Sequence, residues 1–217
     1  MIVGCGASTE IPDSSLPADA PLPVDETTVE RSESTPELAS TPSSQPSEQE
    51  ALWAAIAQAD ETYGVLLRHA IAPGTGDPAS FQLDDCATQR NLSEAGRQQA
   101  RKIGSAFLSR NIPITKVLSS QWCRCLETAQ LMNVGPVEPF PALNSFFRDR
   151  STAAAQTTQV KDYIAANSDS PGVIIMVTHQ VNITALSDIF PPSGSAVVVQ
   201  LKDEQLEVVG QLLDSDL

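Results

Sequence analysis

Two apolar runs, each ending in a histidine, constrain this chain more than any other feature. Tyr63-Gly64-Val65-Leu66-Leu67 runs into Arg68 and His69, and Val173-Ile174-Ile175-Met176-Val177 runs into Thr178 and His179. These are the only two histidines of 217 residues. Short unbroken apolar runs, the second rich in β-branched residues, read as strands buried on both faces, which belong to mostly parallel sheets. Open sheets of that kind bind ligands at the carboxyl edge of their strands, so both histidines are expected at one functional edge.

The intervening pattern alternates helix and strand. A short helix over 47–59 leads in, carrying Leu52, Trp53 and Ile56. Residues 71–90 are rich in Gly, Pro, Asp and Thr and form a long loop, a common place for function. Ser93 is placed to cap a helix that carries Ala100, Ile103, Phe107 and Leu108 and ends near Pro113. A second strand over 115–118 hands over through Ser119 and Ser120 to a helix over 121–132 bearing Arg124. Residues 137–143 read as an edge strand, 151–167 and 180–189 as helices, and 196–201 with 206–209 as a C-terminal hairpin. The fold class is therefore α/β, a three-layer α/β/α sandwich around a mostly parallel central sheet.

Domain organisation follows from composition. Residues 7–48 are almost entirely Ser, Thr, Pro, Glu, Asp, Gln and Ala, too polar to offset their ordering entropy, and are expected to be a disordered acidic linker. The folded domain is expected over 49–217. Before the linker, Met1-Ile2-Val3-Gly4-Cys5 resembles the end of a lipoprotein signal, which makes Cys5 a candidate for lipidation and a bacterial cell envelope location, periplasmic or lipid-anchored, the expectation. Without export the protein would be cytoplasmic. With 27 acidic against 13 basic side chains, a net charge of −14, broad binding to nucleic acid or an anionic membrane surface is excluded. Contact with a membrane is expected only through the anchor.

At the sheet edge, Arg68, His69, Arg124 and His179 are expected to converge. Guanidinium groups are permanently charged planar donors suited to phosphate oxygens, and an imidazole is a nucleophile toward phosphorus. The helix start at Arg124 adds amide donors and the positive end of a dipole. Gln180, at another helix start, is a further candidate for phosphate binding.

The same residues carry a family resemblance. Leu67-Arg68-His69-Ala70 resembles the Arg-His-Gly signature of the histidine phosphatase superfamily, the phosphoglycerate mutase-like family. Ser119-Ser120-Gln121-Trp122-Cys123-Arg124-Cys125-Leu126-Glu127-Thr128-Ala129 is similar to its Ser-Ser-x-x-x-Arg-x-x-x-Thr-Ala block. Asn91-Leu92-Ser93-Glu94-Ala95-Gly96 resembles its Leu-Thr-x-x-Gly helix start, and Thr178-His179 its second histidine.

The resemblance implies a phosphatase that hydrolyses a small phosphorylated molecule. His69 would take the phosphoryl group as a phosphohistidine, and Arg68, Arg124 and His179 would hold its oxygens. It implies no cofactor, and the sequence offers no metal-ligand spacing. Two positions depart from the pattern: Ala70 replaces the glycine, and Leu143-Asn144-Ser145 stands where many members carry Leu-x-Glu with a general acid. Asp149 is the candidate substitute, with Asp77, Asp84 and Asp85 as alternatives. A catalytically weak module that binds a phosphoryl ligand and lacks the acid is the competing expectation. In an exported protein Cys86 is expected to pair with Cys125, or with Cys123, tying the long loop beside Arg124.

Overall fold

The computed structural model of the chain describes residues 47–203 and 205–216. Cys5, the candidate for lipidation, and nearly all of the linker expected over 1–48 lie outside the described residues. Ser47 accepts a hydrogen bond from the amide of Glu50 and donates its own amide to the Glu50 carboxylate, closing a capping box. Helix α1 (Glu48–Gln58) follows from it.

The remaining elements are β1 (Thr62–Arg68), α2 (Glu94–Ser109), β2 (Ile114–Ser119), α3 (Cys123–Met132), β3 (Val137–Pro139), α4 (Ala153–Ala166), β4 (Gly172–Thr178), α5 (Gln180–Ser187), β5 (Ala196–Lys202) and β6 (Gln205–Leu212). The sheet order is β3-β2-β4-β1-β5-β6. The first four strands are mutually parallel, and β5 and β6 join antiparallel at the far side.

Strand alternation divides the core between the two faces. Val65, Leu67, Val173, Ile175 and Val177 pack with Ile56 of α1, Ile103 and Phe107 of α2, and Ala129 and Met132 of α3. Leu66, Ile174, Met176, Val197 and Val199 pack on the opposite face with Val160 and Ile164 of α4 and Ile183 of α5. The expected three layers are thus helices α1–α3, the sheet, and helices α4 and α5. Two glycines set how closely the first layer packs. A Cβ on Gly96 would lie 2.1 Å from the Ile71 carbonyl oxygen, and one on Gly104 1.9 Å from that of Met132.

The edge strand is shorter than expected. It stops at Pro139, and Pro141 opens a 3-10 turn, Pro141–Leu143, because two prolines in three residues remove the amide donors a longer ladder needs.

Candidate active site

Register brings the two histidines together. Arg68 and Thr178 are Cα partners in the parallel β1–β4 pair, so His69 and His179 leave the sheet side by side, with ring centroids 5.5 Å apart. Both are buried, at 2% and 4% exposure. The His69 amide donates to the Thr178 carbonyl at 3.0 Å. Thr128 of α3 accepts from the Ala70 amide at 3.1 Å and donates to the Arg124 carbonyl at 2.7 Å. One buried hydroxyl thereby links the turn after His69 to the helix that carries Arg124.

The hydrogen-bond partners fix the tautomer of each ring. His69 Nδ1 lies 2.8 Å from the Ala70 carbonyl oxygen, which can only accept, so Nδ1 carries the proton and Nε2 keeps its lone pair. His179 Nδ1 lies 3.3 Å from Nη2 of Arg124, an obligate donor, so its Nε2–H donates to Ser120 Oγ at 2.9 Å. Ser120 donates in turn to Asn144 Oδ1 at 3.2 Å, which also accepts from the Gln121 amide at 2.8 Å.

Burial, followed by the Arg124 charge, lowers the pKa of His69 to about 3. The same causes, in the same order, hold His179 well below the usual histidine value. Both rings are neutral at physiological pH.

A cleft of about 500 Å³ opens over these residues, lined by Arg68, His69, Arg124, His179 and Gln180 among others. Arg68 donates from Nη1 to the Pro191 carbonyl at 2.8 Å. The Nε donors of Arg68 and Arg124 are buried without a protein partner, leaving capacity for an anion. Gln180 lines the cleft, but its side-chain Nε2 donates to Thr184 Oγ1 at 2.8 Å. Among the described residues, no cluster of three or more His, Cys, Asp or Glu side chains is arranged to hold a metal ion.

The least expected occupant is Asp77. Its Oδ1 accepts from Arg124 Nη1 at 2.7 Å and its Oδ2 from Nη2 at 3.2 Å, with Trp122 Nε1 donating at 3.1 Å and the Arg90 amide at 3.1 Å. Desolvation raises its pKa, but the bonds from Arg124 and the Arg90 amide outweigh that and hold it below the usual aspartate value. A carboxylate therefore sits on the guanidinium fork where phosphate oxygens would bind.

Asp149 also lines the cleft. Its Oδ1 accepts from the Ser151 amide at 2.9 Å, and bonds to Ser151 lower its pKa. The carboxylate is thus held ionised rather than poised to donate a proton. Asp84 and Asp85 do not line the cleft, and Asp85 caps a 3-10 turn through the Ala87 amide. Ser145 does line it, so the position of the motif glutamate carries a hydroxyl in place of a carboxylate.

The expected pairing of Cys86 with Cys125 is incorrect: Cys86 is bonded to Cys123, with Cα atoms 5.7 Å apart. Residues two apart on a helix point to opposite sides, and Cys125 is the inward one, fully buried with Sγ 3.6 Å from the Thr178 carbonyl oxygen. Burial pushes its thiol up to about 12, leaving it protonated and inert.

Sequence reasoning missed Arg90 and Arg148, which also line the cleft. Arg90 bonds the Ala72 and Gly76 carbonyls, and Arg148 those of Asp77 and Pro78. Both brace the loop through its backbone, a use that leaves no mark in the sequence. It also missed the aromatic lining from Phe81, Phe147 and Phe190.

The family model of the histidine phosphatase superfamily (branch 1) matches residues 65–146. No curated protein matches the chain in sequence. Among solved structures, the mycobacterial glucosyl-3-phosphoglycerate phosphatase is similar at 16% identity and TM-score 0.53, over 70% of this chain and 99% of that one. A phosphoserine phosphatase variant from Entamoeba histolytica, in complex with phosphoserine, is similar at 14% identity and TM-score 0.53, over 72% and 99%. The protein histidine phosphatase SixA, complexed with tungstate, is similar at 14% identity and TM-score 0.52, over 71% and 98%. Residues 65–146 thus carry the sequence signature of the histidine phosphatase superfamily, and the described part of the chain shares the fold of these solved structures.

Proposed function

We propose that this protein is a phosphatase that hydrolyses a phosphorylated molecule through a phosphohistidine on His69. The observation that carries the reading is the state of that imidazole. Its proton is tied to the Ala70 carbonyl at 2.8 Å, and its neutral Nε2 is left as a nucleophile beside the unpartnered donors of Arg68 and Arg124. Nε2 attacks phosphorus, the bond to the leaving group breaks, and the cations neutralise the equatorial oxygens. Water then attacks the phosphohistidine, releasing inorganic phosphate and restoring the lone pair. For this the substrate phosphate must take the place of Asp77 on Arg124.

The similar structures support a phosphoryl substrate, since the three named above are phosphatases, yet they differ in which one. The Cys86–Cys123 disulfide supports an oxidising compartment, in keeping with an exported protein. The test is hydrolysis of an activated aryl phosphate by the wild type and His69→Ala, with acid-labile phosphate trapped on the protein. Loss of both hydrolysis and label in the variant is expected, and hydrolysis equal in the two proteins would refute the reading.

One observation favours a second reading, a binding module with little turnover: Asp77 holds Arg124 while Ser145 supplies no acid. That reading predicts vanadate binding that depends on Arg68 and Arg124, with hydrolysis no faster than in His69→Ala.

A further inference from the structure

The cleft is aromatic as well as cationic. Phe81 stacks on Trp122 with centroids 5.0 Å apart and planes at 22°, and Trp122 meets the His179 ring edge-on at 5.4 Å. Phe147 and Phe190 line the same cleft while remaining 52% and 68% exposed. Phe190 also lies under the Arg68 guanidinium, 5.9 Å from its carbon to the ring centroid. Large exposed rings gathered at the mouth of a charged pocket mark a surface that a ligand covers.

A second, independent observation concerns the leaving group. Among the described residues, the carboxylates lining the cleft are Asp77, bound by Arg124, and Asp149, bonded to Ser151. Both are ionised carboxylates, so neither brings a proton to the leaving group even when the phosphate displaces Asp77 from Arg124, and Ser145 is a hydroxyl. A leaving group that departs here must carry its own negative charge, which a phenolate does far more readily than an alkoxide.

Building on the phosphatase reading, we infer that the substrates are aryl phosphates, phosphate esters of phenols whose ring lies against Phe147 and Phe190. His69 Nε2 forms a bond to phosphorus as the bond to the aryl oxygen breaks, and the electron pair leaves with the phenolate. Water then cleaves the phosphohistidine, giving dihydrogen phosphate and free imidazole. The net reaction is aryl phosphate plus water to phenolate plus phosphate, with no other reactant.

The probes are phenylphosphonate and methylphosphonate, which share the anionic group and cannot be hydrolysed. Their affinities for the full chain are measured by calorimetry in the wild type and in the Phe147→Ser/Phe190→Ser double variant. Because both rings are exposed, the variant retains its core, and the ratio of the two affinities within each protein cancels any general loss. The wild type is expected to bind phenylphosphonate about tenfold more tightly, the scale of a ring contact, and the variant to lose most of that ratio. In parallel, phenyl phosphate is expected to be hydrolysed faster than a fluorinated alkyl phosphate matched in leaving-group acidity.

Equal affinities in the wild type, or a ratio unchanged in the variant, would overturn the aryl assignment. Hydrolysis that depends on His69 would leave the phosphatase reading standing in either case. Failure of both phosphonates to bind, with no hydrolysis depending on His69, would overturn the two together.

Discussion

Replacing Asp77 by Asn is expected to destabilise the free protein and strengthen its affinity for oxyanions. The Arg124 and Asp77 side chains are 3% and 10% exposed, and the closest contact between them is 2.7 Å. Asn keeps the shape and one acceptor, but it turns an NH₂ donor toward the guanidinium fork or toward Trp122 Nε1, and it leaves Arg124 without a countercharge. Breaking a buried pair from one side costs about 3–5 kcal/mol. The cleft opens to water beside Asp77, so the lower end, about 3 kcal/mol, is expected. For a domain of this size that lowers Tm by roughly 6–12 °C. Tungstate or phosphate competes with Asp77 in the wild type and meets no competitor in the variant. Its Kd should therefore fall about tenfold, equivalent to 1.4 kcal/mol, and saturating anion should recover a larger share of the variant's thermal stability. Calorimetric unfolding of both proteins with and without tungstate reads both effects. A Tm within 2 °C of the wild type, a shift smaller than about 1 kcal/mol would give, together with unchanged affinity, would refute the idea that Asp77 occupies the anion position.

Gly104→Ala drives a Cβ against the Met132 carbonyl, to 1.9 Å, and is expected to cost about 2–3 kcal/mol in urea unfolding, with no change in phosphate affinity. Reducing the Cys86–Cys123 bond frees a loop of 37 residues, and the chain-entropy relation puts the loss near about 4 kcal/mol, read as a drop in Tm on adding reductant. Folded His69 has a pKa of about 3 against 6.5 for the free side chain, so the unfolded state binds more protons between those values. Stability should therefore fall as pH drops from 6.5, by up to about 1.4 kcal/mol per pH unit from this group, with His179 acting in the same direction. Urea midpoints at pH 7 and pH 5 test this, and equal midpoints would refute it. Ser145→Glu places a carboxyl at the cleft and is expected to raise turnover of alkyl phosphates by roughly 10²-fold, at the low end of what a general acid supplies, and that of aryl phosphates much less.

What the sequence disclosed and what it hid divide along one physical line. Features set by local periodicity were legible: the β-branched run ending at His179, the Ser93 cap, and Arg124 one residue inside its helix. Convergence of the two histidines was legible too, because parallel strands deliver their next residues to the same edge. Contacts made by a loop with no periodicity of its own were hidden. Asp77 is one of several acids between 77 and 85, and its engagement with Arg124, 47 residues away, depends on how Arg90 and Arg148 hold the loop backbone. The choice between the two expected partners of Cys86 was hidden as well. Cys123 and Cys125 are near-equivalent in sequence, and only the packing of α3 against β4 decides which points outward to Cys86. For Asp77 the missing information was the path of residues 71–90, the same segment that places Asp77 on Arg124 and Phe81 on Trp122. The anion site and the aromatic platform are therefore coupled: an anion that displaces Asp77 must shift the loop segment that also carries Phe81. Changes of the loop should accordingly alter affinity for the phosphoryl group and discrimination of the leaving group together, whereas changes of Phe147, which makes no contact with Arg68 of the kind Phe190 does, should alter the second alone.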